Sequence, residues 1–356
     1  VAVIGAGAFG KNHARVYCEL HEEGLVEFCG IVDADISRAQ EHAQKYNVPA
    51  FASIDDLLRS TKPDAASVAV PTIHHSAVAR QLMEAGVDVL IEKPIAATLS
   101  QADEILATAA THNRVAMVGH LERFNPAVRA TIPLMTQPMF FEVHRLSVFT
   151  PRALDVDVVL DLMIHDIDIV LTFVKSPVKE IRAVGLPILS PKVDICNVRL
   201  EFESGCVANL TASRVSTERV RKLRFFQPRQ YISIDYGRQD VLVFTVGKAG
   251  TVSSVPTKTA TETKNSGLFD SAELVAARQA LSGAAVLAQS GISMTKPPVA
   301  QEEPLKAELK AFFHAVTTRS RPQVTLEEGR RALELALGIL KQVDEHAQRF
   351  GLTGVT

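Results

Sequence analysis

The chain has 356 residues, of which 47% are hydrophobic and 22% charged, with a formal net charge of -2 at pH 7. That length exceeds one ordinary core and predicts about two globular domains. The small net charge gives no sign of a nucleic acid or an anionic membrane as partner, and no apolar run reaches the roughly 18 residues of a membrane span.

Cys18, Cys29, Cys196 and Cys206 form neither a Cys-x-x-Cys pair nor a dense framework. Reduced thiols, no bound metal and a cytoplasmic location are therefore expected. Val1 already lies in an apolar strand with no initiator Met, so further residues are expected upstream and an export signal among them is left open.

The strand Val1–Ile4 runs directly into Gly5-Ala-Gly7-Ala-Phe9-Gly10 and a helical pattern from Lys11 to Glu22. Gly5 permits the tight turn, Gly7 lets a pyrophosphate approach the backbone, and Gly10 lets helix and strand pack closely. A second apolar strand, 26–32, ends in Asp33, where a ribose-binding carboxylate belongs. Such a carboxylate repels a 2'-phosphate, so NAD is expected over NADP, with Arg38 nearby to soften the preference. Strands and helices then alternate as far as strand 115–118, which predicts a doubly wound parallel sheet. Two strand-end loops carry unusual residues, Pro71-Thr-Ile-His74-His75 and Glu92-Lys93-Pro94. Ligands bind at the carboxyl ends of parallel strands, so Pro71, His75, Glu92 and Lys93 are expected to border the cofactor. We place the change of domain at residues 122 and 123, giving a dinucleotide-binding domain 1–122 and a substrate-binding and oligomerisation domain 123–356.

The stretch Asp157–Thr172 reads DVVLDLMIHDIDIVLT. At about 100° per residue, Asp157, Asp161, His165, Asp168 and Thr172 share one narrow stripe on an otherwise apolar helix. This predicts a mostly buried helix with Asp161 orienting His165 as a general base. Around it, β-rich segments from Phe140 to Asp235 predict a sheet, with a hairpin at Glu203-Ser-Gly205. An open sheet face of that length predicts a homo-oligomer, a dimer or tetramer. Residues 247–298 read as an insert, polar at first and helical over 272–287, with no assigned role. Helices 305–317 and 326–348 close the chain.

With these motifs in hand, the chain resembles the glucose-fructose oxidoreductase, inositol dehydrogenase and rhizopine-catabolism oxidoreductase family. The resemblance rests on Gly5-x-Gly7-x-x-Gly10, Val70-Pro71-Thr-x-x-His75, Glu92-Lys93-Pro94, Asp161-x-x-x-His165 and the pattern from Glu308 to Ala336. It implies a Rossmann domain followed by a domain with a large open, mostly antiparallel sheet, with Lys93 as the active-site lysine and Asp161 and His165 as paired groups. Val70-Pro-Thr72 stands where the family more often has Thr-Pro-Asn, so a hydroxyl contact to the cofactor is missing at Val70. The Arg123, Asn125 and Glu303 regions resemble the branch that oxidises UDP-N-acetylglucosamine, or its uronic acid, at the 3-hydroxyl. Arg123, Asn125 and Arg152 are the expected substrate contacts, and Arg145, Arg152 and Arg214 are available to a diphosphate. The expected activity is NAD-dependent oxidation of a secondary sugar hydroxyl. A dehydrogenase of a free sugar or inositol is the alternative, and a non-catalytic NAD-binding sensor is the alternative from another class.

Overall fold

The computed structural model describes residues 1–150, 156–247 and 291–351. Six parallel strands form the first sheet: β1 (Ala2–Ile4), β2 (Gly30–Val32), β3 (Ala50–Phe51), β4 (Ala65–Val68), β5 (Asp88–Glu92) and β6 (Ala116–Gly119), in the order β3-β2-β1-β4-β5-β6. Strands β1, β4 and β6 are buried along their whole length, as expected of strands covered by helices on both faces. The chain order reverses between β1 and β4, which opens a crevice at their carboxyl ends. Only Gly30–Val32 of the expected strand 26–32 joins the ladder.

Helix boundaries follow local capping chemistry. Asp35 accepts from the Ser37 and Arg38 amides at the head of the helix Ile36–Tyr46. Ser53 and Thr98 cap Ile54–Ser60 and Leu99–Thr111 in the same way. The helix Gly10–Glu22 lacks a side-chain cap, so the N–H groups of its first turn have no side-chain acceptor.

The second sheet has eight strands, ordered β14-β13-β12-β11-β7-β10-β9-β8. They are β7 (Phe140–Val148), β8 (Val178–Leu186), β9 (Ile195–Phe202), β10 (Val207–Ser216), β11 (Val220–Gln227), β12 (Gln230–Asp235), β13 (Asp240–Val246) and β14 (Ile292–Thr295). β7 and β10 pair in parallel, and the other neighbouring pairs are antiparallel. β14 belongs to the expected insert and extends the sheet edge; the helix expected over 272–287 lies outside the described residues. Alternation along β7 turns Phe141, Val143 and Arg145 into the core and leaves Phe140, Glu142 and His144 half-buried.

The C-terminal segment corrects the linear division at residue 122. Leu309 and Phe312 of the helix Pro304–Thr318, with Val324, Leu326 and Leu333, pack into the core of the first sheet. The closing helix Leu326–Arg349 also sends Ala336, Ile339 and Val343 into the core of the second. It begins in a reciprocal Thr325–Glu328 capping box. Gly329 sits where a Cβ would come within 2.6 Å of Val118 Cγ2 on β6.

The Gly329→Ala change therefore sets two effects against each other. Alanine favours a helix by about 1 kcal/mol over glycine, whereas overpacking a tight contact costs about 1–3 kcal/mol. A lower thermal unfolding midpoint is expected, and a higher one would mean that the β6 contact relaxes freely.

Candidate active site

The glycine loop is built for close approach. Gly5 has φ +99°, and a Cβ there would lie 2.6 Å from the Ala69 carbonyl oxygen. A Cβ on Gly10 would overlap the Gly5 carbonyl, while one on Gly7 would meet nothing within 4 Å. Gly7 thus borders open space, directly before the uncapped helix. Asp33 accepts from the Ala6 amide at 2.7 Å and the Asp35 amide at 2.9 Å, which fixes its carboxylate at the rim. Arg38 Nη1 lies 3.8 Å from it. Gly5, Gly7, Phe9, Asp33 and Pro71 line one cleft of about 760 Å³. These features fit a dinucleotide: a close-approach glycine, a helix start without a side-chain cap and a carboxylate for the ribose. A larger cleft of about 1280 Å³ lies between Lys175–Ile181 and the closing helix and contains none of these residues.

His75 departs from the expectation of a cofactor contact. It is buried, with Nδ1 2.9 Å from the Pro94 carbonyl and Nε2 2.9 Å from the Val70 carbonyl. Either tautomer has an acceptor. Burial holds its pKa below the ordinary value, and its role is to tie the two strand-end loops together.

Behind the second loop runs a hydrogen-bond chain that spacing alone did not reveal. Tyr17 Oη is 2.5 Å from Ser67 Oγ, Ser67 Oγ is 3.0 Å from His13 Nδ1, and His13 Nε2 is 2.8 Å from Glu92 Oε1. Burial raises the Tyr17 pKa, so the phenol keeps its proton. With Glu92 accepting from His13 Nε2–H, the Ser67 hydroxyl donates to Nδ1 and the Tyr17 hydroxyl donates to Ser67. Burial pushes the Glu92 carboxyl up, but His13 and Lys93 outweigh it and hold the acid ionised.

Lys93 is buried at the carboxyl end of β5. Its Nζ donates to the Asp161 carbonyl at 2.6 Å, lies 3.8 Å from Asp161 Oδ1, and sits 5.8 Å from the Phe9 ring centroid. Burial lowers its pKa, although Asp161 and Glu92 oppose the shift. The lysine therefore sits between the glycine loop and the second domain.

The 157–172 stretch corrects the stripe. Val159–Met163 forms a π-helical turn, in which the Ile164 amide reaches the Val159 carbonyl five residues back, before the regular helix Ile164–Phe173. The extra residue breaks the one-turn relation between Asp161 and His165. Asp161 engages Lys93, and His165 Nδ1 is buried without a hydrogen-bond partner among the described residues. Asp157 accepts from the Val193 amide, and Asp168 takes a bidentate contact from Arg123 at 2.6 and 2.8 Å. Burial drives the His165 pKa well below its usual value, and Lys93 is the next largest cause, followed by Arg145, His120 and Arg221. The imidazole is neutral at pH 7.

Two of the expected substrate contacts, Arg123 and Asn125, are engaged within the protein. Arg123 is held by Asp168 and by Glu328 of the closing helix. Asn125 donates to Glu122 and to the Tyr236 carbonyl, and its oxygen caps the helix Pro126–Thr131. Arg152 lies outside the described residues. Arg145, also expected to be available, is buried with Asp166 at 2.6 and 2.9 Å and Glu122 at 3.0 Å. Arg214 is buried beside Asp194 and donates to the Val156 carbonyl.

A glycine-turn cleft with a buried lysine 5.8 Å from its Phe9 ring fits an oxidoreductase, and the relatives below make it a dehydrogenase acting on CH–OH groups. The chain belongs to the GFO/IDH/MocA family: residues 1–120 match the model of the oxidoreductase family with an NAD-binding Rossmann fold, and residues 135–232 match the GFO/IDH/MocA C-terminal domain. It is 33% identical to a UDP-N-acetylglucosamine 3-dehydrogenase of Acidithiobacillus ferrooxidans, over 98% of both chains. A D-glucoside 3-dehydrogenase of Escherichia coli is 35% identical over 43% of each chain. Among solved structures, the UDP-N-acetylglucosamine 3-dehydrogenase GnnA from Acidithiobacillus ferrooxidans superimposes with a TM-score of 0.80 at 30% identity, covering 97% of both chains.

Glu308, on the helix Pro304–Thr318, is 0% exposed, and neither carboxyl oxygen has a hydrogen-bond partner among the described residues. Burial, and then the charge of Glu92, raises its pKa well above 4.5. The unfolded chain ionises above that pH while the folded chain holds the proton, so this group's contribution to stability is lost as pH rises from the unfolded toward the folded pKa. Glu308→Gln, which mimics the neutral acid, should raise the melting temperature by about 2–4 °C at about pH 8 and by less at about pH 5. An equal effect at both pH values would contradict a protonated Glu308.

Proposed function

We propose that this protein oxidises a secondary hydroxyl of a sugar, and that its substrate is a UDP-N-acetylglucosamine-type nucleotide sugar oxidised at the 3-hydroxyl. The observation that carries the reading is Lys93, buried at the end of β5 with Nζ 5.8 Å from the ring of Phe9 in the glycine-loop cleft and paired with Asp161, one of the acidic residues just before His165 in the chain. The 98% coverage of the Acidithiobacillus relative supports the substrate class. NAD, when bound, supplies the hydride acceptor.

The chain's own groups handle the proton. An alcohol losing hydride must lose its hydroxyl proton at nearly the same time, to a base within roughly 2.6–3.2 Å. His165, neutral at pH 7, takes that proton. The Lys93 ammonium favours the alkoxide-like transition state, in a buried setting where charge acts strongly. Asp161 positions Lys93 through its carbonyl and carboxylate. Asp33 at the cleft rim favours NAD over NADP.

Formation of NADH, compared with NADPH, over a panel of UDP-N-acetylglucosamine, its uronic acid, UDP-glucose, glucose and myo-inositol tests the reading. Turnover confined to the UDP sugars, with NAD preferred, is expected; turnover of the free polyols alone would overturn the substrate. His165→Asn should lower kcat by about 10²-fold with little change in NAD affinity. The acid limb of the wild-type rate profile should fall below pH 6.5, the side to which His165 is shifted.

The active form is a homo-oligomer joined through the outer face of the second sheet. That face carries a ladder of rings, with Phe140–Phe226, Phe226–Tyr231 and Tyr231–Phe244 centroids 5.6, 5.0 and 5.6 Å apart. Phe226, Val246 and Met294 are exposed there. Light scattering at micromolar concentration should return a multiple of the chain mass, and a single-chain mass would refute the assembly.

A further inference from the structure

Arg221 opens β11 directly opposite Arg145 of β7, on the sheet face that also carries Leu223 and Phe225 into the core. Two like charges in directly opposed antiparallel positions destabilise a sheet. Arg145 is relieved by Asp166 and Glu122. Arg221 is not: its Nε is buried without a hydrogen-bond partner, and no carboxylate lies within 4.0 Å of its guanidinium among the described residues. Burial, then the field of Arg145, disfavours its charge. Arg145, directly across from it, holds Asp166, the residue next to His165 in the helix Ile164–Phe173. A half-buried cation facing a second arginine, with Glu122 and Asp166 acting on it only from beyond 4.0 Å, costs the fold stability. The Tyr236 amide donates to the Arg221 carbonyl at 3.0 Å.

We propose that Arg221 is the residue that receives an anionic group of the substrate, a phosphoryl or carboxylate oxygen pair, and so sets the sugar in place beside His165. The planar guanidinium fork matches either anion in a bidentate contact. Of the arginines singled out from the sequence, Arg123 and Arg145 already hold carboxylates in bidentate contacts, and Arg152 lies outside the described residues. The inference rests on the sugar dehydrogenase reading and specifies which side chain selects the charged sugar.

The test compares wild type, Arg221→Gln and Arg221→Lys. Steady-state kinetics with UDP-N-acetylglucosamine and with its uronic acid are measured over a salt series, and calorimetry measures binding of UDP alone and of glucuronate alone. Arg221→Gln should raise KM for the charged sugar by about 10- to 100-fold, the range for a charge-assisted contact. It should leave NAD affinity unchanged and flatten the salt dependence. Arg221→Lys, which keeps the charge without the fork, should fall between. Loss of UDP binding in the Gln variant identifies a phosphoryl contact, and loss of glucuronate binding identifies a carboxylate contact. Wild-type affinity for both probes and an unchanged KM in Arg221→Gln would overturn the assignment while leaving the dehydrogenase reading in place. Wild-type UDP binding that Arg221→Gln abolishes, with no sugar oxidised, would sustain Arg221 and defeat the dehydrogenase reading.

Discussion

The contact of 2.6 Å from Lys93 Nζ to the Asp161 carbonyl joins the end of the first sheet to the helix of the second domain. A buried ammonium is costly unless its hydrogens are taken up and a counter-charge is near. The lysine meets this requirement only by reaching across: its carboxylate, its carbonyl acceptor and the π turn that holds them all belong to the other domain. The rest of the site follows from that requirement. The two domains must be held at a fixed distance, and Glu92, next to the lysine, must stay charged although it is itself largely buried.

The closing helix meets the first condition. Gly329 allows it to touch Val118 on β6, and further along Val343 packs at the Gly185 position of β8. A single rigid rod is thus in contact with both sheets, and Arg123 ties its Glu328 to Asp168 on the helix that carries His165. The chain from Tyr17 through Ser67 and His13 meets the second condition by giving the Glu92 carboxylate a donor deep in the first core. Polar networks of this kind are stable only when each member is satisfied. Glu308, without a hydrogen-bond partner among the described residues, keeps its proton through burial and then through the charge of Glu92.

The first half of the site was legible because its chemistry is contiguous in sequence. A glycine's backbone freedom, a strand-end aspartate and a Glu-Lys pair after a buried strand each act where they stand in the chain, and the parallel fold sets them on one edge. The second half was less legible because an α-helical period was imposed on a segment that contains a π turn. That one extra residue is enough to part Asp161 from His165 and give it to Lys93. The engagement of Arg123 and Arg145 was hidden for another reason. Whether a guanidinium is free depends on which carboxylates the sheet and helix bring to it, and Asp166 and Asp168 are two positions apart on one helix yet neutralise arginines from different elements. His75 likewise has the motif of a cofactor loop and the surroundings of a structural bridge.

The charge balance that results has a direction. The second domain spends its buried acids on Arg145 and Arg123, which hold β7 and the 121–124 turn against the helix, while burial and then the charge of Lys93 keep His165 neutral. A histidine in that field releases its proton readily, which keeps it in the form a base requires before each turnover. The same positive field lowers the energy of an alkoxide forming beside it. Arrangements that destabilise the resting protein in the direction that stabilises the reacting one are characteristic of catalytic sites. Among the described residues His165 Nδ1 and Arg221 Nε are buried without hydrogen-bond partners, whereas Lys93, Arg123 and Arg145 each have a carboxylate within 4.0 Å, so the acids of this region are taken up by three of its cations.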